Sequence, residues 1–232
     1  MKLSLLSARV AGASSKDSAR AQPTMSEWRI RLLGAGKKFN RHWVFKDLDA
    51  QFISGQCTAL QGPNGSGKST LLQSLSGALG LNKGEIIWEK NGATLAPDQW
   101  PRLLSYCAPY LELVEEFTAR EALAFQAHFK PTLPQWNIPS ILEKVDLVGA
   151  ADKQIRYYSS GMKQRIKLAL AFFADTPVLF LDEPCSNLDA AGIAVYQELL
   201  ATCTQGRLVV IGSNDPQETQ TCSAFVTLAK NA

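Results

Sequence analysis

The stretch CTALQGPNGSGKSTLLQSLSGAL, residues 57 to 79, decides the fold of this chain. Its apolar beginning, CTALQ at 57–61, predicts a short buried strand. GPNGSGKST at 62–70 matches the pattern G-x-x-x-x-G-K-S/T, and 69–79 predict a helix directly after the loop. A strand that enters a helix through such a loop binds phosphate groups, so the stretch predicts an α/β protein with a nucleotide site.

The loop has the chemistry that a nucleoside triphosphate requires. Its glycines allow consecutive backbone N–H groups to face the phosphates without steric clash, and the helix N-terminus adds a positive dipole end. Lys68 is expected to reach the β- and γ-phosphates, and Ser69 is expected to bind Mg²⁺. The predicted nucleotide-binding residues of the loop are Gly62, Pro63, Asn64, Gly65, Ser66, Gly67, Lys68, Ser69 and Thr70.

Short apolar runs and helical patterns alternate on both sides of this unit. Further strands are predicted at 28–34, 45–55, 84–92, 103–107, 178–182, 208–213 and 224–229. We therefore expect an α/β fold: a phosphate-loop NTPase core with a mixed, mainly parallel sheet, an antiparallel β part at the N-terminal side and a helical insertion at about 117–159.

Helical patterns are concentrated in the second half of the chain. The segment 118–129 has Ala122, Phe125 and Phe129 at helical spacing, and Thr118 with Glu121 predicts a capping box at its start. Further helices are predicted near 140–148 and at 162–173.

The composition is that of an ordinary globular protein. Of the 232 residues, 46% are hydrophobic and 19% are charged, and no apolar run approaches the roughly 18 residues of a membrane span. The net charge of +3 comes from the first 24 residues, which contain four basic side chains and one acidic side chain. The remaining residues carry 20 basic and 20 acidic side chains, so we expect no nucleic-acid partner.

Residues 1–25 are predicted to lie outside the folded domain, which we expect at 26–232. The first 24 residues are rich in Ser and Ala, and their apolar run LSLL is too short for the core of a secretory signal. They are typical of a disordered extension or of an upstream start codon with Met25 as the true start. Their composition also fits a transit peptide loosely.

Two acidic residues end the apolar run VLFLDE at 178–183. Taken alone, such a pair is as consistent with a helix cap or a solvated turn as with a functional site. With a phosphate loop upstream, Asp182 is expected to hold Mg²⁺ together with Ser69, and Glu183 to polarise an attacking water. Phosphoryl transfer needs positioning, charge neutralisation and an oriented nucleophile, and these residues supply all three.

Two consecutive stretches carry a resemblance to a known family. YYSSGMKQRIKLALAFF at 157–173 precedes DTPVLFLDEPCSNLD at 175–189, and together they resemble the ATP-binding cassette (ABC) family. The family's signature L-S-G-G-Q corresponds here to residues 158–162, Tyr-Ser-Ser-Gly-Met, followed by KQR in the family manner. The segments DEP and SNLD also have family counterparts, and the resemblance extends from Trp28 to the C-terminus.

The resemblance implies a dimer with ATP at its interface. In the family the signature closes over ATP held by the partner subunit, so Ser159, Ser160, Gly161 and Met162 are expected to contact ATP in trans. The partner is expected to be a second copy of this chain or another ABC ATPase. Phe39 stands where the family has an aromatic residue that stacks on adenine, with a core phenylalanine as the alternative.

This sequence departs from the family pattern at two positions. Pro109 stands where the family has a glutamine that touches Mg²⁺ and the attacking water and links the site to the membrane partner. Proline offers no side-chain donor or acceptor and no N–H, so Tyr110, Glu112 or Glu115 would have to take over. Asn214 stands where the family has a histidine that contacts the γ-phosphate. Asparagine keeps a hydrogen-bond donor but carries no positive charge. The alternative is that Asn214 only ends a strand in an Asx-turn.

The resemblance implies that this chain is the ATP-hydrolysing subunit of an ABC transporter. It would act at the cytoplasmic face of a membrane, bound to a separate transmembrane permease subunit. ATP and Mg²⁺ are the expected cofactors, and Glu183, Lys68 and Asn214 the expected catalytic residues. Loss of one transition-state contact typically costs roughly 10²–10³ in rate, so we expect slow or partner-dependent hydrolysis. The alternatives are a soluble ABC ATPase of a protein assembly and a nucleotide-sensing subunit with little hydrolysis. The chain length resembles that of export-type subunits, including those of heme-exporter type.

Overall fold

The computed structural model describes residues 27–229, so the predicted extension at 1–25 lies outside the described residues. The strands are β1 (Trp28–Phe39), β2 (His42–Ile53), β3 (Cys57–Gln61), β4 (Lys83–Lys90), β5 (Ala93–Thr94), β6 (Leu104–Cys107), β7 (Val178–Asp182), β8 (Leu208–Gly212) and β9 (Ala224–Thr227). The helices are α1 (Lys68–Leu75), α2 (Trp100–Leu103), α3 (Ala119–Ala127), α4 (Ile138–Lys144), α5 (Ser160–Phe172), α6 (Ala190–Cys203) and α7 (Pro216–Thr219). Short 3-10 turns lie at Pro97–Gln99, Val148–Ala150 and Ile155–Tyr157.

The strands form two sheets, which confirms the predicted α/β fold class. Four strands pair antiparallel in the order β2-β1-β4-β5, and five pair parallel in the order β6-β7-β8-β3-β9. The central sheet is therefore parallel along all five described strands, and the antiparallel part is a sheet of its own. Because parallel strands end at the same edge, the loops after β3, β6, β7 and β8 meet there.

The central strands are buried on both faces. Every residue of β7 and β8 is buried, as expected for the continuous apolar runs VLFLD and LVVIG. Alternate residues of β7 pack into different cores because side chains alternate across a strand. Val178 and Phe180 pack with α1 and the antiparallel sheet, whereas Leu179 and Leu181 pack with α5 and α6.

Helix α1 is anchored by its leucines and starts at the lysine of the phosphate loop. Leu71, Leu72 and Leu75 are fully buried against the central sheet. The helix ends at Leu75, four residues before its predicted end, because Gly77 adopts a left-handed φ of 80°.

Between β6 and β7 the chain is helical, with α3 and α4 followed by α5. The predicted capping box at α3 is confirmed: the Thr118 hydroxyl accepts from the Glu121 N–H, and the Glu121 carboxylate accepts from the Thr118 N–H. The packed face of α3 is formed by Ala119 and Leu123. Phe125 lies on the other side and is 52% exposed; Phe129 lies two residues beyond the end of α3, is 68% exposed, and has its ring centroid 5.2 Å from that of Phe125. The apolar spacing predicted the helix but not its buried face.

Helix α6 was not among the predicted elements. Asp189 caps it by accepting a hydrogen bond from the Gly192 N–H at 2.8 Å, and its buried face contains Tyr196, Leu199 and Cys203. With 14 residues it is the longest described helix, and no helix within residues 27–229 is long and apolar enough to cross a membrane.

Candidate functional site

The phosphate loop connects the end of β3 to the start of α1 and depends on two of its glycines. Gly62 and Gly67 have φ angles of 149° and 101°. A Cβ at Gly62 would lie 2.3 Å from the Leu228 carbonyl oxygen, and one at Gly67 would lie 2.4 Å from Val44 Cγ1. Both positions therefore require glycine for backbone conformation and for space.

Lys68 is held inside the loop rather than extended into solvent. Its side chain is 6% exposed, and its ammonium donates to the Gly62 carbonyl at 2.8 Å and to the Pro63 carbonyl at 3.5 Å. The positive charge thus lies where the backbone N–H groups of the loop and of α1 converge. Such a site attracts an anion.

A cleft of about 350 Å³ opens over the loop. The predicted site residues that line it are Phe39, Asn64, Gly65, Gly67, Lys68, Ser69, Thr70 and Glu183, together with Val44. Two strands and the start of a helix therefore bring residues that are far apart in sequence to one cavity. Ser66 is buried behind the loop and does not line the cleft.

Phe39 ends β1 at the rim of this cleft. Its side chain is 51% exposed, and the Lys37 ammonium lies 5.3 Å from its ring centroid. The alternative of a core phenylalanine is therefore wrong, because the ring offers an open face to the cavity instead of packing inside the protein.

Asp182 ends β7 beside the loop and is 1% exposed. Burial raises the pKa of its carboxyl group, while the nearby Ser69 and Tyr110 hydroxyls act in the opposite direction. Its Oδ2 accepts a hydrogen bond from the Tyr110 hydroxyl at 3.1 Å, whereas its buried Oδ1 has no hydrogen-bond partner among the described residues. A buried carboxylate oxygen without a donor, next to a serine hydroxyl, fits Mg²⁺, which prefers oxygen ligands.

Glu183 follows directly and points into the cleft from a strained backbone. Its φ is 43°, in the left-handed region that glutamate rarely adopts. Its N–H donates to the Gly212 carbonyl at 3.0 Å, which ties the end of β7 to the end of β8. The turn directs an exposed carboxylate toward the phosphate loop.

Asn214 contacts the phosphate loop from the end of β8. Its Oδ1 accepts from the Gly62 N–H at 3.3 Å, and its Nδ2 donates to Asn64 Oδ1 at 3.2 Å. The Asx-type turn at the start of α7 is closed by Asp215, whose Oδ1 accepts from the Gln217 N–H at 2.8 Å. The side chain of Asn214 thus belongs to the loop and not to a turn of its own.

Glu218 is a site residue that the sequence reasoning missed. Its side chain is 4% exposed and accepts the backbone N–H of Cys185, while its own carbonyl accepts from the Tyr196 hydroxyl at 2.7 Å. It therefore links α7 to the segment that follows Glu183. No local pattern in the sequence indicates this contact, because Glu218 and Cys185 lie 33 positions apart.

The predicted signature residues lie at a second cleft of about 620 Å³. Ser159 caps α5 by accepting from the Met162 N–H at 3.2 Å. Ser159, Ser160, Gly161 and Met162 all line this cleft, and it shares no lining residue with the cleft over the phosphate loop. Within one chain the two sets of predicted ATP contacts are therefore not brought together.

Pro109, which the resemblance places at the family's glutamine position, directs no polar side chain to the site. It occupies a turn in which the Leu111 N–H donates to the Ala108 carbonyl at 3.3 Å. Lys167 holds this turn by donating to the Pro109 carbonyl at 2.7 Å. The next residue, Tyr110, is the one that reaches Asp182.

The family model described as ABC transporter matches residues 45–186. The chain belongs to the ABC transporter family. This segment contains the phosphate loop, the signature region and both acidic residues at the end of β7.

Curated relatives and solved structures agree with this membership. The chain is 31% identical over 207 residues to the Nod factor export ATP-binding protein I of Bradyrhizobium diazoefficiens, covering 84% of this chain and 65% of that protein. It is 29% identical over 170 residues to the cytochrome c biogenesis ATP-binding export protein CcmA of Vibrio cholerae, covering 72% of this chain and 82% of that protein. A solved ATP-binding subunit of an ABC transporter superimposes with a TM-score of 0.75 at 25% identity, covering 88% of both chains. The chain thus spans slightly less than two thirds of the Nod factor relative.

Proposed function

We propose that this chain is the ATP-binding and ATP-hydrolysing subunit of an ABC transporter, acting at the cytoplasmic face of a membrane with a separate permease subunit. The observation that carries the proposal is the convergence of Lys68, Ser69 and Glu183 on one cleft, with Asp182 buried beside it. These are the groups that phosphoryl transfer requires. The names of relatives that act in export support the transport part.

The triphosphate binds along the loop. Backbone N–H groups of residues 64–70 and the N-terminus of α1 contact the phosphates, and the Lys68 ammonium moves from the Gly62 carbonyl to the phosphate oxygens. Phe39 offers its exposed ring face to the adenine. One cleft therefore offers contacts for both the base and the phosphates.

Ser69 and Asp182 would hold Mg²⁺, and they fit it because Asp182 Oδ1 is buried without a donor. When bound, the ion neutralises charge on the β- and γ-phosphates. Around it, the chain keeps Asp182 in one orientation through the Tyr110 hydroxyl. Ser69 contributes a hydroxyl from the first turn of α1.

Glu183 acts on the water. Its carboxylate accepts a proton from the water as the oxygen attacks the γ-phosphorus, the bond to the ADP oxygen breaks, and ADP and phosphate leave. Lys68 stabilises the charge that develops on the phosphate oxygens. Asn214 keeps Gly62 and Asn64 in place and offers the γ-phosphate an amide donor in place of an imidazolium.

The second cleft completes the site of a partner. Ser159, Ser160 and Gly161 lie at the start of α5, where hydroxyls, backbone N–H groups and the helix dipole suit the triphosphate of an opposing subunit. Because one chain carries the two halves on separate clefts, two chains form two sites when they face each other. ATP then closes the dimer, and hydrolysis opens it.

A second candidate is a nucleotide-sensing subunit that binds ATP and hydrolyses little. Pro109 and Asn214 favour it because neither provides the group that the family uses at those positions. The exposed Glu183 carboxylate at the cleft favours hydrolysis.

ATP-dependent dimerisation of the Glu183→Gln variant tests the proposal. With Mg²⁺ and ATP its mass in light scattering should double, because ATP closes the dimer and is not consumed. The matched control, Lys68→Ala on the same background, should stay monomeric. If Glu183→Gln binds ATP and remains a monomer at high protein concentration, the two-cleft arrangement is not used.

A further inference from the structure

The turn after β6 has no glutamine, but it places the hydroxyl of Tyr110 next to Asp182. Pro109 holds the second position of the turn 108–111, where the fixed φ of proline is favourable. Lys167 fixes the turn from α5 by donating to the carbonyls of Ala108 and Pro109 at 3.4 and 2.7 Å. The following side chain, that of Tyr110, is thereby directed at β7.

The Tyr110 hydroxyl donates a hydrogen bond to Asp182 Oδ2 at 3.1 Å. The Tyr106 hydroxyl hydrogen-bonds to the same oxygen of Tyr110, and the two rings pack edge to face with their centroids 6.4 Å apart. Tyr106 in turn packs edge to face on the buried Phe180 of β7. The Tyr110 side chain is 46% exposed, and its hydroxyl is hydrogen-bonded to both Tyr106 and Asp182.

Because of this hydrogen bond, the two oxygens of the Asp182 carboxylate have different environments. Oδ2 is occupied by Tyr110, while Oδ1 is buried and has no donor among the described residues. A carboxylate fixed in this way presents Oδ1 as a metal ligand without losing rotational freedom on binding. Hydrogen bonds to ligating carboxylates usually orient them and tune metal affinity.

Glu112 and Glu115, the other candidates to replace the family's glutamine, do not contact Asp182. Glu115 pairs with Lys163, and Glu112 lines an outer groove with Lys163 and Lys167. Both glutamates are exposed, and neither hydrogen-bonds to Asp182.

We propose that Tyr110 is the positioning residue of the magnesium site, taking the place of the glutamine that Pro109 replaces. The inference rests on the proposed function, because it concerns the metal that accompanies ATP. Tyr110 acts through Asp182: its hydroxyl holds Oδ2 and leaves Oδ1 available for the metal. It links the nucleotide site to the turn that borders the groove of Glu112 and Lys167.

The test measures the magnesium dependence of nucleotide binding, not turnover. The affinity of the full chain for a non-hydrolysable ATP analogue is titrated by calorimetry with Mg²⁺ and again with EDTA. Tyr110→Phe removes one oxygen and should lower the affinity gain that Mg²⁺ gives by about 10-fold, the usual cost of losing such a partner. The affinity in EDTA should not change.

Tyr106→Phe is the matched control, since it removes a hydroxyl from the same network one step further from Asp182. We expect a smaller loss of magnesium dependence than with Tyr110→Phe. On an Asp182→Asn background, Tyr110→Phe should have no further effect on magnesium dependence, and thermal unfolding verifies that each variant is folded.

The possible results distinguish failure of the Tyr110 proposal from failure of the proposed function. A folded Tyr110→Phe variant with the magnesium dependence of the wild type overturns this inference alone. An equal loss of nucleotide affinity with Mg²⁺ and with EDTA also overturns it, because the Tyr110 hydroxyl would then act through the phosphate loop and not through the metal. A wild-type chain that binds no nucleotide under either condition overturns the proposed function instead.

Discussion

The carboxylate of Glu218 accepts a hydrogen bond from the backbone N–H of Cys185, with 2.6 Å between Oε1 and N. Cys185 lies two residues after Glu183, whose own N–H is held by the Gly212 carbonyl at the end of β8. The strained turn at Glu183 is thus fixed on both sides by the β8–α7 region. The turn that carries the Glu183 carboxylate, which we propose acts on the water, is therefore supported by a buried glutamate that itself lies outside the nucleotide cleft.

Replacing Glu218 should weaken both the fold and turnover. Glu218→Ala leaves the buried Cys185 N–H without an acceptor and should lower the free energy of unfolding by about 2 kcal/mol. The Glu218→Gln variant keeps an acceptor oxygen and should retain most of both properties. Urea denaturation and phosphate release measure the two effects, and equal behaviour of the two variants would contradict a role for the hydrogen bond.

The same residue should give stability a pH dependence. Burial raises the pKa of Glu218 above its ordinary value of 4.5, although the Ser213 hydroxyl and the Cys185 N–H oppose this shift. The folded state therefore binds a proton here more tightly than the unfolded state, and this contribution is lost as the pH rises from about 4.5 through the raised pKa. The stability of Glu218→Gln relative to the wild type should accordingly increase across that window and then level off. A difference that is constant with pH would show that Glu218 does not titrate there.

Asn214→His should raise the rate of ATP hydrolysis. A histidine at the end of β8 can place a positive charge near the γ-phosphate, and removal of one such contact typically costs roughly 10²–10³ in rate, so a gain of about 10-fold is expected. Steady-state kcat under saturating Mg-ATP is the measurement. Asn214→Ala is the control and should lower nucleotide affinity, because it removes the contacts to Gly62 and Asn64. A histidine variant no faster than the alanine variant would place this side chain outside the reacting shell.

Gly67→Ala should disable the phosphate loop. The new Cβ would lie 2.4 Å from Val44 Cγ1 on a backbone with φ 101°, and such strain costs on the order of 1–3 kcal/mol. Nucleotide affinity and melting temperature should both fall. Gly80→Ala, where no atom lies within 4 Å of the added carbon, should leave both unchanged. Normal ATP binding by the Gly67 variant would contradict the loop geometry.

Phe39→Ala should weaken ATP binding by roughly 10-fold, since stacking of a base on an aromatic ring is worth about 1–3 kcal/mol. Phe39→Tyr should keep the affinity because it keeps the ring. Phe129→Ala, which truncates an exposed phenylalanine away from the cleft, should have no effect. Equilibrium titration with ATP distinguishes them, and unchanged affinity of Phe39→Ala would mean that adenine contacts another surface.

The sequence predicted the parts of the fold that local chemistry determines. Strand β3 has the predicted bounds, and the Thr118–Glu121 capping box forms as its spacing indicates. Helix α6 could also have been predicted, because Asp189 is a good N-cap and Tyr196, Leu199 and Cys203 follow a helical spacing. From the sequence, Asp189 is interpreted only as the end of a family motif, and no element is assigned to residues 190–203.

Other features depend on contacts between distant parts of the chain. Tyr110 meets Asp182 across 72 positions, and Glu218 meets Cys185 across 33, so no local pattern indicates either contact. The exposure of Phe125 is likewise decided by which face of α3 packs on its neighbours. For the same reason, the role of Asn214 at the phosphate loop becomes visible only when β3 and β8 are paired.

Steady-state phosphate release by the purified wild-type chain, compared with release by Glu183→Gln, shows whether this protein hydrolyses ATP. We expect slow, magnesium-dependent release by the wild type and none above background in the variant, although both bind ATP. Release that is equal in the two proteins, or absent from both while ATP and a permease-containing membrane are present, would contradict an ATP-hydrolysing subunit.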